Sequence, residues 1–355
     1  MISPTYHFYR YSTAVIATAY TVTSTIGAML FFNGDVVDGI IAGVLGFTVF
    51  LISKMCTLTD GLPQIECFLS AFIVSVMSYF INTYLVQGQC PFAQLFGGVV
   101  WLLPGTSIVV ALLEIYSQSI VYGSARLVYA ISLASQLGFG MAIGCGICYP
   151  LVNMAAVFTS GCVSPFSPLC KFFFVPIMTI SMATILGCTP KHYVGVVVVS
   201  GSAIWAAGMA QGLISARPIA DSLGGILAAA MVTLLARFLG YLNNHHYYIY
   251  LVTGIQVLVP GGIGVRGMSD MWSGDMQGGI AVTFQMCLVG VSLAMGVFLA
   301  IIPRGIWLHI HMPQPTHPPL GDSKTGSFQM YSRASSYGSV HDDSRRSYCD
   351  ETIPE

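Results

Sequence analysis

Charge is what this sequence has least of. Only 8% of its 355 residues are Asp, Glu, Lys or Arg, while 55% are hydrophobic and the mean hydropathy is +0.76. A soluble domain carries about a quarter charged residues, so a solvated surface of ordinary size is excluded and lipid is the expected solvent. No basic excess exists either. The formal net charge of −1 excludes nucleic acid as a partner, because phosphate binding needs a basic face. Glycosylation acceptors, lipidation boxes and Walker-type phosphate loops are missing. Without a nucleotide site, active transport would have to run on an ion or solute gradient. HExxH, GxSxG and Cys/His pairs at reachable spacing are also absent, so no enzyme, cofactor or metal site is expected.

What is present is a series of long apolar runs. A bilayer core needs about 20 mostly apolar residues per helical span. The runs predict an all-α integral membrane protein of about ten spans. Five lie in a first repeat, residues 12–148: Ser12–Phe32, Val36–Ser53, Cys67–Val86, Phe92–Leu113 and Leu127–Cys148. Five more lie in a second repeat, residues 172–303: Phe172–Leu186, Tyr193–Leu213, Leu223–Leu242, Tyr247–Val259 and Gly279–Ile302. Residues 1–11 form a short leading segment, 149–171 a Pro-, Ser- and Cys-rich linker, and 304–355 a polar tail too poor in apolar residues to fold. The pairs Gly39/Gly43, Gly140/Gly144 and Gly208/Gly212 have the spacing that lets helix backbones approach closely. Cys145 and Cys148, a C-x-x-C in an apolar helix, read as packing residues. Cys90, Cys162 and Cys170 fall on one face, where a disulfide is open to them.

The two halves resemble each other. Pro104-Gly105 and Pro260-Gly261 are 156 positions apart, and the same offset carries Val109 to Val265, Glu114 to Asp270, Tyr116 to Trp272, Ser117 to Ser273 and Gly123 to Gly279. Five identities over residues 104–123 exceed the one or two that composition predicts. Because five is odd, the second half enters the bilayer from the opposite side. Such inverted repeats typify secondary transporters. Arg10, Lys54, Arg126, Lys191, Arg237 and Arg304 collect on one face and Lys171, Arg217 and Arg266 on the other, which puts both termini in the cytoplasm. The membrane is expected to be the plasma membrane or a vacuolar or other endomembrane.

Proline removes a backbone donor and glycine tolerates the resulting turn. In lipid the freed groups are costly unless they face protein or a wet cavity. Pro104, Gly105, Pro260 and Gly261 are therefore candidates for a substrate site, with half-helix ends facing a carboxylate and an ammonium. Glu114, Asp270 and Asp275 follow the breaks, with Arg126 and Arg266 nearby. At membrane depth they would handle ions or substrate; on a surface connector they would be merely solvated. Asp38 joins the candidates, although Asp35 and Asp38 read first as helix caps. Gly262-Ile-Gly264-Val-Arg-Gly267 matches GxGxxG without the strand that a dinucleotide site requires. His245 and His246 read as solvated loop residues.

NGDVVDGIIAGVLGF, WLLPGTSIVVALLEIYSQSIVYGSARLVYA and VLVPGGIGVRGMSDMWSGDMQGG resemble the threonine/serine exporter family, including its fungal pheromone-regulated members. The resemblance covers roughly Tyr9 to Pro303. It implies ten spans in two five-span modules, export of threonine and serine on a proton gradient, and motif roles for Asp38, Pro104, Gly105, Glu114, Gly123, Arg126, Pro260, Gly261, Arg266 and Gly279. Such proteins usually carry a soluble helical segment ahead of the first span; here eleven residues precede Ser12, so that segment is not expected. Glu114 stands where the pattern has Asp. The expected partners are a bilayer, a small amino acid and a coupling proton, with a homo-oligomer left open. The competing expectation is a non-transporting membrane regulator that signals through its tail, where Arg333-Ala-Ser335 and Arg345-Arg346-Ser347 have the form of phosphorylation substrates.

Overall fold

The computed structural model describes residues 11–58, 64–86, 89–148, 162, 166, 168–213, 217–242, 247–259, 261–272 and 274–301. Pro260, Ser273, His245, His246 and the tail lie outside them. Among the described residues there is no strand. The helices are α1 Thr13–Phe31, α2 Val36–Cys56, α3 Glu66–Tyr84, α4 Pro91–Gly98, α5 Gly105–Tyr116, α6 Ile120–Cys148, α7 Pro168–Ile185, α8 Tyr193–Leu213, α9 Arg217–Leu242, α10 Tyr248–Leu258, α11 Gly261–Trp272 and α12 Met276–Ile301.

Seven of these helices are long and apolar enough to cross a membrane, or nine spans if each of the bent pairs α4/α5 and α10/α11 counts as one. The remaining expected span, Phe172–Leu186, corresponds to α7, whose apolar stretch Phe173–Ile185 is shorter than the others. Several sequence boundaries are corrected, α9 for one starting at Arg217 rather than Leu223. The span expected over Tyr247–Val259 is only the first arm of a bent helix that runs on to Trp272, α6 starts at Ile120 rather than Leu127, and α12 starts at Met276 rather than Gly279. The segments read as either membrane or connector are thus helical, apart from short turns.

α2 shows why these helices associate. Its capping box is reciprocal: Asp35 Oδ1 accepts from the Asp38 amide at 2.7 Å, and Asp38 Oδ2 accepts from the Asp35 amide at 3.2 Å, so two otherwise orphaned donors are satisfied. Ile40, Val44, Phe47 and Leu51 are exposed at helical spacing, a large apolar stripe that suits lipid and not water. An adjoining face carries Gly39 and Gly43 against Met29, Thr25 and Thr21 of α1. With no hydrophobic drive between helices in lipid, such close approach supplies the attraction. Gly140 and Gly144 fit likewise against Phe68, Ala71, Phe72 and Ser75 of α3. The third expected pair fails in part, because a side chain at Gly208 would meet open space.

The halves pack by one pattern. α1 contacts α2 as α7 contacts α8; α3 packs on α6 as α9 on α12; α5 lies on α6 as α11 on α12; α4 rests on α1, α2 and α3 as α10 rests on α7, α8 and α9. Each half contributes most of one apolar core, although Met178 and Met182 of α7 join that of the first half, and the second arms of the bent helices cross over. Val109 of α5 belongs to the core of the second half, and its offset partner Val265 of α11 belongs to that of the first.

A candidate substrate cavity between two helix breaks

The residue before a proline is driven out of the helical region by the proline ring. Leu103 is extended (φ −65°, ψ 122°) and so is Val259 (φ −76°, ψ 129°), at the same 156-residue offset. Ahead of Leu103 the chain makes a single 3-10 turn, Val100–Leu102, and the axes of the two arms differ by 56°. At the second break the angle is 45°. No side chain caps α5. Its first N–H groups therefore have no partner within the helix, and neither do the last carbonyls of α10.

Both breaks open on one cavity of about 250 Å³. Val100, Leu103, Gly105 and Thr106 line it from the first break; Gln256, Val257, Leu258, Val259, Gly262 and Ile263 line it from the second; Phe31 at the end of α1, Phe32 just after it and Met182 of α7 complete it. Three of these pairs, Val100 with Gln256, Leu103 with Val259 and Thr106 with Gly262, are related by the 156-residue offset. Among the described residues, the lining holds no charged side chain. Its polar side chains are Thr106 and Gln256, and the Gln256 Oε1 is buried with no hydrogen-bond partner.

Of the sequence candidates, Gly105 lines the cavity, Pro104 is buried at the break, Gly261 opens α11 and Pro260 lies outside the described residues. The charged candidates are elsewhere. Glu114 and Asp270 stand nine residues beyond Gly105 and Gly261, which is roughly 14 Å along each helix. Glu114 is buried, and Arg126 of α6 donates to its Oε2 through Nε at 3.0 Å, while Oε1 has no partner. Asp270 is also buried, but its cation comes from its own helix: Arg266 Nε lies 3.9 Å from Oδ2, and the guanidinium sits 5.4 Å from the centre of the Phe92 ring. Asp275 is exposed and caps α12 by accepting from the Gly278 amide at 2.9 Å.

The turns after the two acids are copies. The Ser119 amide donates to the Glu114 carbonyl and the Asp275 amide to the Asp270 carbonyl, each at 3.0 Å, and the matched residues Gln118 (φ 66°) and Gly274 (φ 103°) are both left-handed. Gly123 abuts the Ala111 carbonyl and the Ile115 amide, and Gly279 abuts the same atoms one offset later, in Gly267 and Met271. The GxGxxG glycines are packing residues on α11, against Phe32, Met286 and Thr283.

Asp38 is 3% exposed and does more than cap. Its Oδ1 accepts from Gln94 Nε2 at 2.8 Å and from the Cys90 amide at 3.1 Å. Gln94 in turn accepts from Ser78 Oγ and Asn82 Nδ2. Cys90 is bridged to Cys162, the Cα atoms lying 6.0 Å apart, so one of the pairings left open forms and ties the linker to the start of α4. Cys145 and Cys148 are unbridged. Sequence reading missed Gln94, Asn82 and Gln256. Gln256 was detectable as an amide four residues before the second Pro-Gly, opposite Val100. Among the described residues no cluster of His, Cys, Asp or Glu is placed to hold a metal ion.

A helical bundle with exposed apolar stripes, its two halves packed by one pattern and each holding a bent helix pair, is a multi-pass membrane protein. Its relatives specify which. The chain belongs to the threonine/serine exporter family: the model described as "Putative threonine/serine exporter" matches residues 7–148 and "Threonine/Serine exporter, ThrE" matches residues 171–302. It is similar to "Pheromone-regulated membrane protein 10" of Kluyveromyces lactis (23% identical, covering 88% of this chain and 33% of the relative) and of Candida glabrata (25%, covering 85% and 37%). The protein of that name in Saccharomyces cerevisiae is 29% identical over 43% of this chain and 40% of its own length. The chain thus spans well under half of these curated relatives. No solved structure matches.

Proposed function

We propose that the protein is a secondary transporter that exports small neutral amino acids of the threonine/serine class on a proton gradient. One observation carries the reading: two matched helix breaks converge on one cavity whose lining, among the described residues, has no charged side chain. The N-termini of α5 and α11 offer N–H groups and positive dipole ends to a carboxylate, and the carbonyl end of α10 suits an ammonium. A zwitterion finds both partners there. A solute with a net side-chain charge finds no counter-ion, and burying it unpaired is costly. The volume lies below the roughly 300–1,000 Å³ of drug-sized pockets, which suits a metabolite of a few heavy atoms.

The repeats, 12–148 and 172–303, then lie in opposite orientations about this site and rock to expose it alternately. The disulfide supports termini in the cytoplasm, since bridges persist in oxidising compartments: by helix count, Cys90 and Cys162 share the face opposite Lys54. Glu114 and Asp270 fall at opposite ends of the pathway. Their place in the mechanism is to carry the coupling proton or to hold the two gates, away from the solute.

Labelled threonine or serine is offered to proteoliposomes containing the full chain, under an imposed pH gradient. Accumulation that collapses with the gradient, and that lysine and aspartate fail to inhibit, is expected. Gradient-independent traces equal to those of empty liposomes would refute the reading. Full activity after Glu114→Gln with Asp270→Asn would remove the acids from the coupling.

A further inference from the structure

Taking the proposed amino-acid site as given, we infer that Gln256 reads the side chain of the solute, favouring small neutral zwitterions that carry a hydrogen-bond donor such as a hydroxyl. The cavity is built from offset-related positions, so its departures from symmetry show where it has been specialised. Opposite Val100 of the first break stands Gln256 of the second, and opposite Gly262 stands Thr106. Position 256 thus carries an amide where the duplicate carries an aliphatic side chain.

Gln256 sits in the last turn of α10, beside the carbonyl end of that helix and across from the start of α5. Gln256 lines the cavity, while its Oε1 is closed to water and accepts no hydrogen bond, so a rotation of the side-chain amide is what brings this acceptor to the solute. A buried amide oxygen is normally satisfied, and leaving it unpaired costs free energy that a ligand donor recovers. An amide oxygen can only accept, so the missing partner is an O–H or N–H. The solute ammonium has the carbonyls ending α10, and the carboxylate has the helix N-termini. What remains for Gln256 is the side chain. A site that hydrogen-bonds a hydroxyl also rejects the isostere without one, because its own polar atom is then left bare.

The test uses the full chain in proteoliposomes, with exchange of labelled L-threonine competed by L-threonine, L-serine, L-2-aminobutyrate and L-alanine. In each hydroxylated pair the partner lacks only the hydroxyl oxygen. For the wild type, threonine and serine should compete at concentrations roughly tenfold or more below those of 2-aminobutyrate and alanine. Gln256→Met, unbranched and of similar length, should bring the ratio close to one by weakening the hydroxylated solutes alone. Gln256→Glu keeps an acceptor and should retain the ratio, so it carries the test if Gln256→Met does not fold. An unchanged ratio in Gln256→Met, a collapsed ratio in Gln256→Glu, or equal weakening of all four solutes in Gln256→Met overturns the inference; the last result would make Gln256 an ammonium ligand. Wild-type exchange with a ratio near one defeats the inference and leaves the transporter reading standing. Wild-type protein that exchanges none of the four defeats that reading first.

Discussion

The two acids that the duplication relates should differ sharply in what they contribute to stability, and a double-mutant cycle measures it. Glu114 and Arg126 meet at 3.0 Å with side chains only 8% and 19% exposed. At an effective dielectric of about 20 their gross attraction is about 5–6 kcal/mol, most of it offset by the cost of desolvating both ions. Removing one partner leaves the other ion buried without it. Glu114→Gln or Arg126→Met alone should therefore cost about 3 kcal/mol, near the lower end for a broken buried pair. The double variant should cost much less than the sum, giving a coupling of at least ~2 kcal/mol. Asp270 and Arg266 are 3.9 Å apart, at the outer limit of an ion pair, and the arginine side chain is 35% exposed and so keeps part of its hydration; their coupling should be only ~0.5 kcal/mol. Reversible unfolding of the purified chain in mixed micelles, followed by tryptophan fluorescence, reads both cycles. Equal couplings at the two sites, or additive effects at Glu114 and Arg126, would refute the reasoning.

Three further outcomes are expected. Gly123→Ala places a Cβ 2.7 Å from the Ala111 carbonyl and 2.8 Å from the Ile115 amide, and Gly279→Ala meets the same backbone contacts of α11; because backbone cannot yield, each should lower stability by about 1–3 kcal/mol, seen as matched falls in the detergent melting temperature. Breaking the Cys90–Cys162 bridge releases a loop spanning 72 residues, for which chain entropy allows up to about 4 kcal/mol; Cys90→Ser should lower the melting temperature, and the freed, half-buried Cys162 thiol should react with a membrane-impermeant maleimide added outside right-side-out vesicles. Gln94→Leu strips Asp38 of its 2.8 Å donor and should cost about 1.5–3 kcal/mol, whereas Gln94→Glu, which sets a second carboxylate against Asp38, should cost more in the same unfolding assay.

The broken helices show how far local chemistry reaches. Leu103 and Val259 are extended because a proline follows each, a rule that needs no tertiary information. The caps of α2 follow from Asp35 and Asp38 three positions apart, and the lipid-facing stripe of Ile40, Val44, Phe47 and Leu51 follows from helical periodicity. Composition excluded water as the solvent, and a single offset related the halves before any helix was placed. The turns at Gln118 and Gly274 and the close contacts of Gly123 and Gly279 obey that offset atom by atom.

What only the tertiary structure decided is which side chains face each other across distant segments. Sequence spacing set Glu114 and Asp270 beside the breaks, yet a helix rises about 1.5 Å per residue, so nine residues carry each acid clear of the cavity. Arg126 reaches Glu114 from another helix, while the related Asp270 takes its cation from its own turn; the duplication alone would have made them alike. Gln94 became the partner of Asp38, and Asn82 that of Gln94, through packing of α2, α3 and α4. Gln256 acquired its meaning the same way. An amide in an apolar helix is unremarked in one dimension, and its position at the meeting of two breaks, with an acceptor left unfilled, exists only once the halves have packed.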